Sequence, residues 1–133
     1  MCSLIHVQTI LSLRKAYEKL RQRYAFDNRI SDFNGYEVLI LISADEPRSA
    51  KEFSDLLACK PAQITGYVAR LENLGLLKRR ISQSDKRSFN LQLTKLGKNK
   101  AKELADITRD IFQRTTNLTE DENSKLVRLL EKV

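Results

Sequence analysis

Apolar residues recur every three or four positions along the first part of the chain, which is the period of an amphipathic α-helix. The members of this stripe are Ile10, Leu13, Tyr17, Leu20 and Tyr24. After a polar connection, residues 36–44 are apolar on nearly every side and end at an Asp-Glu-Pro sequence. The pattern predicts a long N-terminal helix with one face that needs a cover, followed by a short central helix.

Two more helices are predicted close together in the next segment. Ser49 and Glu52 match a capping box, in which each side chain satisfies a backbone N–H at the start of a helix of about ten residues. Pro61 is tolerated at a first helical position, because its missing N–H would have no partner there, and Gly75 can cap the far end. The apolar face of this second helix is predicted to comprise Ile64, Val68, Leu71 and Leu74.

The period of the pattern changes to two after Gly75. A run from Leu76 to Ile81 leads into a polar turn, and apolar and polar residues alternate in residues 87–94, which predicts a β-hairpin with one buried face. Thr94 can cap a following helix, and residues 119–122 form a capping box for a last one. The predicted fold is mostly α with a small β-hairpin wing, and its order of helix, short turn, helix and hairpin is a winged helix-turn-helix.

Length and composition fit one protein domain and argue against several function classes. A chain of 133 residues, 41% of them hydrophobic, can close a single core. Cys2 and Cys59 lack the spacing of a metal or redox motif and one His completes no ligand set, so we expect no metal, no cofactor and no enzymatic activity. No apolar run is long enough to cross a membrane and no signal-peptide pattern is present, so we expect a cytoplasmic protein.

Positive charge is concentrated in the middle of the chain. Of the formal net charge of +7, residues 60–102 carry +9, with eleven basic side chains against two acidic ones, while residues 1–59 are balanced. This segment coincides with the second helix, the hairpin and the start of the next helix. A helix of this kind fits the major groove of B-DNA and a charged hairpin loop reaches the backbone or the minor groove, so we expect duplex DNA as the partner.

The outward face of the second helix is predicted to be small. Gly66 points away from the buried face, flanked by Gln63 and Arg70 on one side and Thr65 on the other. Gln63 is suited to adenine and Arg70 to guanine or phosphate. The alternative for Gly66 is that it packs against another helix.

In the hairpin turn, Asp85 can accept hydrogen bonds from Arg87 and hold it extended, while Lys86 stands at the tip. The alternative is a plain turn-stabilising Asp with solvated basic neighbours. The complete set of predicted DNA-binding residues is Lys60, Gln63, Thr65, Gly66, Tyr67, Arg70, Arg79, Arg80, Ser84, Asp85, Lys86 and Arg87.

Four segments, residues 49–53, 64–76, 84–87 and 91–97, are similar to the MarR family of bacterial transcription regulators, with the SarA-like branch nearest. The most specific part is Asp85-x-Arg87 followed by Leu-x-Leu-Thr-x-x-Gly. The resemblance implies a homodimer in which the first and last helices of two chains interlock, and a near-palindromic operator with one winged helix on each half. It also implies a sequence-specific regulator, which we expect to be a repressor. This sequence departs from many relatives at Gly66, where they carry Arg.

The resemblance implies that residues 1–133 form a single domain with two parts. Residues 33–97 would form the winged-helix DNA-binding part, and residues 1–30 and 98–133 the dimerisation helices. The first and last helices carry more apolar surface than the core of one small module needs, although such stripes can also cover that module in a monomer. The predicted dimerisation residues are Ile10, Leu13, Tyr17, Ile111, Leu126, Leu129 and Leu130.

The sequence also suggests two regulatory features and leaves one alternative function open. Cys59 lies beside Lys60 at the start of the second helix, where its thiol is a candidate redox site; the alternative is a small half-buried residue. A small-molecule effector is a candidate partner, with aromatic residues of a ligand cleft at Tyr17, Tyr24, Phe33 and Tyr36. The alternative to a DNA-binding regulator is a winged-helix module that binds RNA or protein.

Overall fold

The structure is a computed structural model that describes residues 2–30, 32–81 and 89–133. Its helices are α1 (Cys2–Ala25), α2 (Gly35–Ser43), α3 (Ala50–Leu57), α4 (Pro61–Asn73), α5 (Lys95–Thr115) and α6 (Glu120–Leu130), with a 3₁₀ turn at Asn28–Ile30. Its strands are β1 (Leu77–Ile81) and β2 (Phe89–Leu93). The predicted fold class, mostly helical with one hairpin, is confirmed.

Side chains at the helix N-termini explain where the helices begin. The predicted capping boxes are present, with Ser49 accepting from the backbone N–H of the third helical residue of α3 and Thr119 doing the same for α6. Thr94 caps α5 as predicted. A further capping box joins Asn34 and Glu37 at the start of α2, and the sequence analysis did not identify it.

The connection between α3 and α4 is short and held by hydrogen bonds. α3 has eight residues, fewer than predicted, because Ala58 adopts a left-handed conformation with φ of 51° and ends the helix. The Ser54 hydroxyl then donates to the carbonyl of Cys59 over 2.6 Å. This turn sets the two helices of the helix-turn-helix against each other.

The hairpin is antiparallel, with Leu77 opposite Leu93 and Arg79 opposite Leu91. Leu91 and Leu93 are buried as predicted, but Phe89 is partly exposed. Arg48 forms an isolated β-bridge with Leu91 through two backbone hydrogen bonds of 2.7 and 3.0 Å, so a short extended segment pairs with β2 on its other side. The sheet is thereby attached to the segment that leads into α3.

The core lies where α2, α3, α4, the sheet and α5 meet. Its largest fully buried side chains are Phe53, Ile40, Leu41, Ile64, Leu71, Leu91, Leu104 and Val38. Leu74 was predicted to extend the buried face of α4, and that prediction is wrong: the residue is the C-terminal cap and is exposed. Gly75 follows it with φ of 76°, as the predicted cap.

One predicted dimerisation residue lies inside its own chain. Ile111 is 4% exposed and belongs to the core cluster, and this burial counts against the predicted dimer contact. The reason is that α5 buries the face that carries Ile107 and Ile111 against its own chain. Helical periodicity locates such a face but does not identify what covers it.

Candidate nucleic-acid interface

The recognition helix candidate, α4, presents a small face to solvent. Ile64 and Val68 are buried on its inner side, whereas Gln63, Thr65 and Gly66 are exposed. A Cβ atom built on Gly66 would meet no other atom within 4 Å. Among the residues that the structure describes, Gly66 therefore packs against no other element, which counts against the alternative that it packs against another helix of the chain.

Gln63 and Thr65 both hydrogen-bond within the first turn of α4. The side-chain oxygen of Gln63 accepts from the backbone N–H of Lys60 over 3.2 Å, and the Thr65 hydroxyl donates to the carbonyl of Pro61 over 3.0 Å. The amide NH₂ of Gln63 keeps its two donors for another partner. Base readout by Gln63 remains a prediction, to which the structure adds a capping role.

Arg70 has partners within the protein. One terminal nitrogen of its guanidinium lies 2.7 Å from both carboxylate oxygens of Glu37, and the other donates to the carbonyl of Asp32 over 2.7 Å. The guanidinium also lies over the ring of Phe33, 5.7 Å from its centroid. These contacts occupy both terminal nitrogens and count against the predicted contact of Arg70 with a base or phosphate.

Tyr67 is also turned toward the protein. Its ring stacks on Tyr36 of α2, with centroids 5.4 Å apart and planes inclined by 12°. The residue is half-buried and packs against the core. This stacking joins α4 to α2 and counts against the predicted role of Tyr67 in DNA binding.

The basic residues of β1 divide between the two faces of the hairpin, as expected for a strand. The Nε atom of Arg79 lies 3.2 Å from an oxygen of Glu72 on α4, and its guanidinium covers the Phe89 ring at 4.6 Å. Lys78 and Arg80 lie on the other face and are exposed. Arg80 is therefore better placed than Arg79 to meet an external phosphate. The predicted wing residues Ser84, Asp85, Lys86 and Arg87 lie outside the described residues.

Two predicted residues lie where α4 begins. Lys60 is exposed at the start of α4, and Cys59 is half-buried in the preceding turn. Of the proposed effector residues, Tyr24 and Phe33 pack against the core, and burial raises the pKa of the Tyr24 hydroxyl. Within the described part of the chain, no cluster of His, Cys, Asp or Glu has the arrangement of a metal site, and no helix is long and apolar enough to span a bilayer.

The predicted dimerisation surface is exposed on α1 and α6. Ile10, Leu13 and Tyr17 on α1 and Leu129 and Leu130 on α6 are exposed, and Leu126 is half-buried. Further exposed apolar residues on the same two helices were not predicted, and their signal was their position beside the predicted stripe. These residues are Leu4, Ile5, Val7, Leu11 and Val127.

The MarR family model matches residues 34–89, the segment that holds α2, α3, α4 and β1 and ends at the first residue of β2. A transcriptional regulator, SarZ of Staphylococcus epidermidis, is 26% identical over 131 residues, which cover 98% of this chain and 84% of the relative. A transcriptional repressor, IacR of Pseudomonas putida, is 30% identical over 103 residues, 77% of this chain and 62% of the relative.

A solved structure extends the likeness to the fold. BpsR of Bordetella bronchiseptica, whose DNA binding is described as regulated by 6-hydroxynicotinic acid, superposes with a TM-score of 0.73 at 24% identity, over 90% of this chain and 88% of that one. The winged helix, the family match and the two curated relatives agree. Residues 34–89 thus match the MarR family, and over nearly its whole length the chain is similar to a transcriptional regulator.

Proposed function

We propose that the protein is a sequence-specific repressor that binds a near-palindromic operator in duplex DNA as a homodimer, in the cytoplasm of a bacterial cell. The observation that carries the proposal is the open face of α4 around Gly66, within a segment, residues 60–102, that also holds the hairpin and the start of α5 and carries a net charge of +9. A helix without large side chains brings its backbone close to the floor of the major groove, while basic residues beside it neutralise phosphates.

The contact set that we propose follows the exposure of each side chain. Gln63, Thr65 and Gly66 face the major groove, and Lys60 and Arg80 meet phosphates. Ser84, Asp85, Lys86 and Arg87 complete the set at the wing, as a proposal from the sequence alone. Tyr67, Arg70 and Arg79 are excluded from the direct contacts, because each has a partner within the protein.

A second copy of the chain is the proposed cover for α1 and α6. Ile10, Tyr17 and Leu129 are each at least 60% exposed, although their side chains are apolar. An exposed apolar surface that extends along two helices is typical of an interface. Two copies related by a two-fold axis would present two copies of α4 to DNA, and this symmetry requires a near-palindromic site.

Repression and a small-molecule effector are supported by relatives. IacR is a repressor, and the DNA binding of BpsR is regulated by 6-hydroxynicotinic acid. In this chain a groove beside α2, β2 and α5 is lined by four apolar residues, two lysines and one aspartate, and its lysines could pair with the carboxylate of an organic acid. The groove is lined by Ile42, Asp45, Leu93, Lys98, Ala101, Lys102 and Ala105.

Selection of bound duplexes from a random library, followed by sequencing and footprinting, tests the proposal. The expected result is an inverted repeat whose half-sites lie about one helical turn, roughly 10 base pairs, apart. Transcription in vitro from a promoter that overlaps the selected site should decrease when the protein is added. Equal recovery of all duplexes, or preferential recovery of RNA in a parallel selection, would contradict the proposed function.

A further inference from the structure

The ion pair between Arg70 and Glu37 differs from the other ion pairs among the described residues in its burial. The Glu37 side chain is 3% exposed, whereas both partners in several other pairs are solvated. Its carboxylate is tolerated there because Oε1 also accepts from the backbone N–H of Asn34 over 3.0 Å. Removing one partner of such a pair would leave a buried charge without compensation, at a high cost in free energy.

The guanidinium of Arg70 attaches α4 to one short segment, residues 32–37. It contacts the carbonyl of Asp32, the ring of Phe33 and the carboxylate of Glu37. A planar fork with several fixed donors constrains rotation as well as distance, which a lysine ammonium does not do. The rotation of α4 about its own axis is therefore coupled to this segment.

The same segment connects the recognition helix to the proposed dimerisation helix. It follows the 3₁₀ turn after α1 and includes the first turn of α2. In a symmetric dimer, a change in this connection acts on both copies of α4 and alters their separation and angle on DNA.

We propose that Arg70 and Glu37 are positioning residues, which set the orientation of the recognition helix and thereby the half-site spacing that the dimer accepts, without touching DNA. The inference rests on the proposed function, since spacing has meaning only for a dimer on an operator. The ion pair on which this inference rests is independent of the proposed DNA contacts, because neither Arg70 nor Glu37 belongs to the proposed contact set.

Two amide variants separate positioning from direct contact. Glu37→Gln keeps a side chain that can cap α2 but removes the charge that holds Arg70. If Arg70 positions α4, Glu37→Gln and Arg70→Gln should each weaken binding to the selected operator by about tenfold, and the double variant by a similar factor, because the pair acts as one unit. If Arg70 instead contacts DNA, Glu37→Gln should leave affinity unchanged or improve it.

The salt dependence of binding gives the second measurement. Loss of a phosphate contact lowers the slope of log affinity against log salt by about 0.9 per subunit. Arg70→Gln should leave the slope as in the wild-type protein, whereas the control Arg80→Gln should reduce it by that amount. Circular dichroism melts identify the folded fraction, and Arg70→Lys, which keeps the charge without the fork, replaces Arg70→Gln if that variant does not fold.

Operators with one base pair added or removed between the half-sites test spacing directly. The wild-type protein should discriminate against both, and the folded variants at residues 37 and 70 should discriminate less. Wild-type affinity and spacing preference in all variants, or a reduced salt slope in Arg70→Gln, would overturn the inference while the proposed function stands. A wild-type protein that prefers no duplex would overturn the proposed function itself.

Discussion

Single atoms decide the roles of two helical glycines. Gly66 on α4 has open space where a Cβ would be, whereas a Cβ on Gly97, near the start of α5, would collide with the backbone carbonyl of Leu76. Gly97 thus permits the close approach of α5 to the end of α4, and Gly66 permits an approach from outside the protein. The two glycines have similar helical conformations, so their substitutions form a matched pair.

Gly66→Ala should raise the free energy of unfolding by about 0.5–1 kcal/mol, because alanine loses less conformational entropy in a helix. Gly97→Ala should lower it by about 3 kcal/mol, because the backbone must shift to relieve the collision. Urea unfolding monitored by circular dichroism measures both. Equal changes in the two variants would contradict the packing described for these residues.

Loss of a base contact and loss of a backbone contact should also have different effects on DNA binding when single residues are substituted. Gln63→Ala should weaken binding to the operator by about 1–3 kcal/mol and leave binding to random duplex nearly unchanged. Arg87→Ala should weaken both and reduce the salt slope by about 0.9 per subunit. Fluorescence anisotropy at several salt concentrations distinguishes the two, and urea unfolding of Gln63→Ala corrects for the lost cap of α4. Equal weakening of every duplex by Gln63→Ala would indicate that sequence is read through DNA shape.

At the scale of elements, an ion-pair network joins the turn that follows α1 to α5. Arg29 hydrogen-bonds the carboxylate of Asp27 over 2.7 and 2.9 Å and that of Asp110 over 2.9 Å. These bonds from Arg29 hold the pKa of Asp27 below its ordinary value near 3.8, against a smaller opposing effect of burial. The network fixes where the proposed dimerisation helix leaves the winged-helix part.

Because the pKa of Asp27 is lowered in the folded state, its contribution to stability is present above pH 3.8 and is lost as the pH falls through the lowered value. Asp27→Asn should therefore lower stability at pH 7 and have a smaller effect near pH 2. Urea midpoints at the two pH values measure this change. A constant difference between the variant and the wild-type protein at both pH values would contradict the assignment.

Most of the helices and strands could be predicted from local sequence signals. The contacts that were not predicted join residues far apart in the sequence. The capping boxes at Ser49 and Thr119 lie within four residues of sequence and could be predicted, as could that of Asn34, which has the same spacing. The partner of Arg70 lies 33 residues away, so helical periodicity placed Arg70 on the outer face of α4 without indicating Glu37. The cover of Ile111 is equally nonlocal.

At the scale of the whole molecule, the proposed dimer accounts for the apolar faces that α1 and α6 expose. Leu13→Glu combined with Leu129→Glu should convert a particle of twice 15.4 kDa to one of 15.4 kDa in light scattering at micromolar concentration. Leu56→Glu is the control, since Leu56 is an exposed apolar residue on α3, away from both helices. A wild-type particle with the mass of one chain would contradict the proposed dimer.

In the proposed complex, the basic middle segment, residues 60–102, meets the phosphates of duplex DNA. The most direct test is the affinity for the selected operator as a function of salt concentration. If each subunit neutralises about four phosphates, the slope of log affinity against log salt should be near −7 for the dimer, at about 0.9 per phosphate. A slope near zero would mean that the segment faces another partner and would contradict the account.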